Sequence, residues 1–168
     1  MNTIAHIFVH LYTINFRMKK NLLALLFLLL AASAYSQEIE SIGGKYYKKG
    51  MLYSGTHTEL YENKSVKTIL NISNGLLEGS VTLFHPNGQK QEVRSYKNGN
   101  KDGMWITWDD MGNKTAQAEY KDNMKHGDWF IWSSMGKPLY ELHYHLGEKI
   151  GTWKIYDESG KLVSERKY

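Results

Sequence analysis

The stretches "GMWITWDDMG", Gly103 to Gly112, and "GDWFIWSSMG", Gly127 to Gly136, write nearly the same ten letters 24 residues apart. At that period glycine opens each unit at Gly55, Gly79, Gly103, Gly127 and Gly151. Two positions on stand His57, Val81, Trp105, Trp129 and Trp153; five positions on stand Leu60, Phe84, Trp108, Trp132 and Tyr156. All five tryptophans of the chain fall in these two columns. A second glycine column follows at Gly88, Gly112, Gly136 and Gly160, with Lys64 as its departure, and then Tyr96, Tyr120, Tyr144 and Tyr168, with Ile72 as the departure. A fixed period of this length is the mark of a repeat architecture.

Within a unit, "WITWDD" and "TAQAEY" are short, β-compatible runs bounded by Gly, Asn and Asp, which predicts two strands and two turns per unit. The internal turn reads "HPNGQ", "DDMGN", "SSMGK" and "DESGK". Its late glycine suits a type I turn followed by a left-handed residue and a bulge. The turn between units, such as "KNGNKDG", is expected to end on the unit glycine. A symmetric hairpin there would set Tyr120 across from Gly127 and Tyr144 across from Gly151, tyrosine supplying the packing that a strand glycine lacks.

Alternation divides the first strand of each unit between two faces. One carries Val81 and Leu83, Trp105 and Thr107, Trp129 and Ile131, Trp153 and Ile155, and is the expected core face. The other carries Phe84, Trp108, Trp132 and Tyr156 among more polar residues. Trp108, Trp132 and Tyr156 are candidates for an exposed strip that stacks sugars or anchors a protein partner, as Trp and Tyr do at interface hot spots. An isolated hairpin is marginal in water, so stability has to come from neighbouring units.

The pattern "YKNGNKDGMWITWDDMGNK" resembles the MORN repeat variant, over about residues 50 to 168. The resemblance implies an all-β chain of stacked β-hairpins in one elongated, twisted antiparallel sheet. Residues 55–168 then form five 24-residue repeats, the first atypical, and 37–54 a partial N-terminal repeat or cap. Gly79, Gly103, Gly127, Gly151, Trp105, Trp129, Trp153, Tyr96, Tyr120 and Tyr144 are the scaffold positions. Proteins with such repeats are often described as antitoxins of the YwqK family.

From Met18 the chain reads "MKKNLLALLFLLLAASAYSQE", with Lys19 and Lys20 ahead of an apolar run from Leu22 to Ala32 and small residues at Ala34 and Ser36. This is the pattern of a secretory signal peptide over 18–36, cleaved before Gln37. The apolar run is shorter than the roughly 20 residues that a membrane span needs. Residues 1–17 fall outside that design and read as a misassigned upstream extension. The expected destination is the periplasm or the outside of the cell.

Removing Arg17, Lys19 and Lys20 from the 21 basic residues leaves 18 against 17 acidic ones, a net charge of +1. The basic character of the whole chain therefore belongs largely to the leader. A nucleic-acid partner loses its main support, and membrane-lipid binding finds no polybasic cluster. Cysteine is absent, so there is no disulfide, no thiolate metal site and no lipidated Cys to anchor the mature chain in a membrane.

His143 and His145 stand two apart on a predicted strand and could share a face as metal ligands, but no third ligand sits at the right spacing. Asp109 and Asp110 are adjacent carboxylates in the turn column, where a turn role outweighs acid–base chemistry. No phosphate loop or nucleophile elbow occurs. The expectation is a protein without enzyme activity, cofactor or metal, which presents an interaction surface to an unidentified protein or envelope component. Two further readings are an antitoxin or immunity protein and a carbohydrate-binding envelope protein. Open sheet edges also leave room for self-association, with Arg166 and Lys167 set to blunt one edge.

Overall fold

The computed structural model describes residues 39–168. The leader, the segment before it and the cleavage position at Gln37 lie outside the described residues. These residues form fourteen strands and no helix. Strands β1 (Glu40–Ile42), β2 (Lys45–Lys48) and β3 (Met51–Leu52) make a small antiparallel sheet. The second sheet has eleven strands. They are β4 (Gly55–Leu60), β5 (Val66–Ser73), β6 (Leu76–Phe84), β7 (Lys90–Lys97), β8 (Asn100–Trp108), β9 (Lys114–Lys121), β10 (Met124–Trp132), β11 (Pro138–His145), β12 (Glu148–Lys149), β13 (Thr152–Tyr156) and β14 (Leu162–Lys167). Strands adjacent in sequence pair in space, with β12 and β13 both pairing to β11, and the sheet is open at β4 and β14.

The turn inside each unit has one geometry throughout. The Gly88 N–H donates to the His85 carbonyl and the His85 N–H to that of Gln89, both at 2.8 Å. The same two bonds close the turns at Asp109–Asn113, Ser133–Lys137, Asp157–Lys161 and Tyr61–Ser65. This is the type I turn with a left-handed fourth residue that the glycine column predicts, with φ of +86° at Gly88 and +88° at Gly112. Lys64, which breaks the column, adopts the same conformation at φ +68°.

The turn between units is tighter than expected and does not reach the unit glycine. It is a two-residue turn with both residues left-handed, at Asn74–Gly75, Asn98–Gly99, Asp122–Asn123 and Leu146–Gly147. That is the backbone of a type I′ hairpin, whose twist matches the strands it joins. The N–H groups of Gly75, Gly99, Asn123 and Gly147 donate in turn to the carbonyls of Tyr53, Leu77, Lys101 and Lys125. Each turn is thereby tied to the strand that follows the preceding one, which keeps the units in line.

Shortening that turn moves the register. Tyr120 lies across from Lys125 on one side and from Gly103 on the other; Tyr144 lies across from Lys149 and Gly127. The expected pairs Tyr120 with Gly127 and Tyr144 with Gly151 do not form. Tyrosine covers the glycine of its own unit instead, as in Gly79 with Tyr96. Gly103 is a strand residue at an irregularity: Tyr96 pairs with Lys101 and Arg94 with Trp105, so residues 102–104 face Ser95 alone. Gly103 has φ +100° there, a conformation that L side chains rarely adopt.

The cross-strand pairs place Val81, Leu83, Trp105, Thr107, Trp129, Ile131, Trp153 and Ile155 on one face, here the first face. Leu70, Ile72, Val81 and Tyr144, between 4% and 7% exposed, are the buried hydrophobics, and all lie on it. Leu70, Ile72 and Val81 form a cluster on which Ile39, Tyr46 and Tyr53 from the N-terminal segment pack. Among the described residues no large side chain is fully buried. The sheet is a single layer over most of its length.

Candidate interaction surfaces

On the first face the tryptophan and tyrosine columns interleave. Tyr96, Trp105, Tyr120, Trp129, Tyr144, Trp153 and Tyr168 form one unbroken ladder, with successive ring centroids 5.7, 4.9, 5.1, 5.4, 5.1 and 4.8 Å apart. The rings are tilted or edge-on to one another, the arrangements that the aromatic quadrupole favours. Each indole N–H is also used. Trp105 Nε1 donates to the Ser95 carbonyl at 3.2 Å, Trp129 Nε1 to that of Glu119 at 3.0 Å, and Trp153 Nε1 to that of His143 at 3.0 Å. Ser95 faces the irregularity at Gly103, so the scaffold glycine and scaffold tryptophan of a unit serve one joint. Packing accounts for Trp105, Trp129, Trp153, Tyr96, Tyr120 and Tyr144.

Three lysines lie over this ladder, one per unit. Lys101 Nζ is 4.6 Å from the Trp105 ring centre and 4.9 Å from that of Tyr120. Lys125 stands 4.7 Å from Trp129 and 4.8 Å from Tyr144; Lys149 stands 4.4 Å from Trp153 and 4.9 Å from Tyr168. Arg94 also lies over Trp105, at 5.3 Å, and is held by Glu92 at 2.7 Å, a bond that raises its already high pKa. Burial pushes the Tyr120 phenol up, with a further contribution from the charge of Glu92. The lysine column escaped sequence reading, although "NKDG", "MKHG" and "EKIG" carry it two places before the unit glycine.

The second face carries the candidate strip. Trp108, Trp132 and Tyr156 are each half-buried at the strand ends beside the internal turns, across from Lys114, Pro138 and Leu162. Among the described residues no ring contact joins these three to one another. Trp132 stacks on Phe130 at 5.7 Å and takes the Lys114 ammonium at 5.6 Å, while the Tyr156 hydroxyl donates to Glu141 at 3.0 Å. Lys154 pairs with the same carboxylate at 3.3 Å, which raises the lysine's pKa. An open hollow beside Trp108 is lined by Gln89, Lys90 and Gly112. The strip is a row of separate aromatic edges with polar groups between them.

The histidine pair is split by its partners. His143 Nδ1 lies 2.7 Å from Asp128, whereas the His145 ring stands 5.4 Å from that of His126. Among the described residues no three metal-ligating side chains converge. Asp109 Oδ1 accepts the N–H groups of Met111 and Asn113, and Oδ2 accepts the Asn113 side chain; these bonds hold its carboxyl below the usual range. Asp110 lends its carbonyl to Asn87 of the neighbouring turn at 2.8 Å.

The family model described as MORN repeat variant matches residues 77–98 and 149–168. The first stretch runs from the start of β6 to the end of β7, and the second covers the last unit. No curated protein matches the chain. MORN repeats generally serve interaction with proteins or membranes. The two matched stretches are in register, 72 residues apart, and the 24-residue geometry that they carry recurs through the open antiparallel sheet, as the MORN repeat variant leads one to expect.

Proposed function

We propose that this chain is an exported, non-catalytic interaction protein whose sheet binds a protein or another component of the cell envelope. The observation that carries the reading is the single-layer sheet. Its two faces both reach solvent, and from Gly103 onward equivalent side chains recur on them from unit to unit, which suits a long contact better than a localised reaction. Trp108, Trp132 and Tyr156 supply aromatic anchors on one face. The leader pattern over 18–36 and the absence of cysteine support export without a lipid anchor.

Cell fractionation with intact-mass measurement tests the reading. The expected product is a periplasmic or secreted species that begins at Gln37. A cytoplasmic species that keeps residues 18–36 would contradict it.

A further inference from the structure

Charge is sorted between the two faces in a way that the net value hides. From β8 to β14 the first face carries Lys101, Lys125, Lys149 and Arg166 and no carboxylate side chain. The acidic residues of those strands, Asp102, Glu119, Asp128, Glu141, Glu148 and Glu165, all alternate onto the second face. Several are matched there: Asp102 by Lys121 at 2.8 Å, Asp128 by His143, Glu141 by Lys154. Lys101, Lys125 and Lys149 make no ion pair among the described residues. Their ammonium groups are held over ring pairs at fixed height.

Equivalent lysines are two strands apart, so the cations recur at roughly 9.5 Å, twice the strand spacing. The result is a row of like charges that runs across the strands of the first face and follows the twist of the sheet. We infer that this row is a binding site for a linear acidic glycan lying across the strands, with its carboxylates on Lys101, Lys125 and Lys149. A 1,4- or 1,3-linked chain with one uronic acid per disaccharide repeats its charge at about that interval, and the half-buried rings of Trp105, Tyr120, Trp129 and Trp153 offer apolar edges to the pyranose C–H groups between charges. The other anionic surfaces fit less well. A bilayer would call for a broad basic patch with apolar groups free to insert, whereas these rings are packed against each other beneath the lysines. An extended peptide carries same-face side chains at roughly 6.8 Å, out of step with the row.

The inference rests on the exported interaction protein only for where such a polymer would be met, and its test needs no cell. The purified protein is titrated with hyaluronan oligosaccharides, followed by tryptophan fluorescence and calorimetry. Dextran, phosphatidylglycerol vesicles and polyglutamate are run beside them. The expected result is saturable binding to the acidic glycan alone, weakening as salt rises. Replacing all three lysines by glutamine should weaken it by about a hundredfold, on the scale of roughly fivefold per lysine at an anionic surface. The triple arginine variant and Lys114→Gln on the second face should keep the affinity. Lys125→Gln alone should lose about fivefold, which covers the case where the triple variant folds poorly. Preference for vesicles or polyglutamate, absence of glycan binding, or glycan binding indifferent to Lys125→Gln would each overturn the inference. Export could still stand after any of these, and a cytoplasmic protein could still bind the glycan, so the two failures are distinguishable.

Discussion

The two ends of the first face fill the same repeat positions with different chemistry. Near the N-terminus the columns read Ile72, Leu77 and Val81; further along they read Tyr96, Lys101 and Trp105, then Tyr120, Lys125 and Trp129. The aliphatic end is covered by a second layer, where Ile39, Tyr46 and Tyr53 pack on Leu70, Ile72 and Val81. The aromatic end has no such layer among the described residues. Its rings cover each other in tilted or edge-on contacts, and lysine ammonium groups lie over the rings. A sheet can thus be shielded from outside its plane or from within it. Shielding within the plane depends on neighbours in both directions, because each tryptophan shares its two tyrosines with the adjoining units.

The largest effect should come from breaking that sharing. Trp129→Ala removes contacts to Tyr120 and Tyr144 together with the bond to the Glu119 carbonyl, and should cost about 3 to 4 kcal/mol in denaturant unfolding. Amide exchange should then quicken in β8 to β11, on both sides of the substitution. Leu70→Ala hollows the covered end at a cost of about 2 to 3 kcal/mol, with faster exchange confined to β1 to β6. Equal spreading from the two sites would erase the distinction between the ends.

Trp129→Phe sharpens the comparison by keeping a ring while deleting the indole donor. About 1 kcal/mol should be lost, the scale of one hydrogen bond. Leu146→Asn and Lys64→Gly act in the opposite direction. Both residues occupy left-handed backbone, at φ +46° and +68°, where the replacements fit without the cost of about 1 kcal/mol borne by an ordinary side chain. Each should raise the unfolding midpoint slightly at its own end of the sheet.

The smallest effect is acid sensitivity of the internal turns. The hydrogen bonds that Asp109 and Asp157 accept lower both carboxyl pKa values in the folded chain. A depressed folded value means that the contribution is complete above the unfolded pKa, about 3.9 for Asp. It is lost as pH falls through the folded value. Asp109→Asn should flatten that acid limb, measured by thermal unfolding between neutral and strongly acid pH.

The period made the hairpin meander legible, since glycine, tryptophan and tyrosine recur at positions set by the turns and the joints. Register was harder. The Asn98–Gly99 dipeptide is a type I′ signal in plain view, but Asp122–Asn123 and Leu146–Gly147 disguise it in later units, and a symmetric longer loop put Tyr120 opposite the wrong glycine. The lysine row was obscured by arithmetic of another kind. A net charge of +1 for residues 37–168 is a sum over both faces, and only the pairing register shows that the carboxylates of β8 to β14 all take the second face, beside Lys114, Lys121, Lys154 and Lys167, and leave Lys101, Lys125, Lys149 and Arg166 without acidic neighbours on the first. Trp108, Trp132 and Tyr156 were visible as a column, but their separation by Lys114 and Pro138 depends on the strands across from them.

The tryptophans divide into a hydrogen-bonded ladder on one face and, on the other, Trp108 and Trp132, whose indole N–H groups make no hydrogen bond among the described residues. The direct measurement is hydrogen exchange at the five indole N–H groups by nuclear magnetic resonance. Trp105, Trp129 and Trp153 should be protected and Trp108 and Trp132 should exchange quickly. A common rate for all five, or protection of Trp108 and Trp132 instead, would contradict the account.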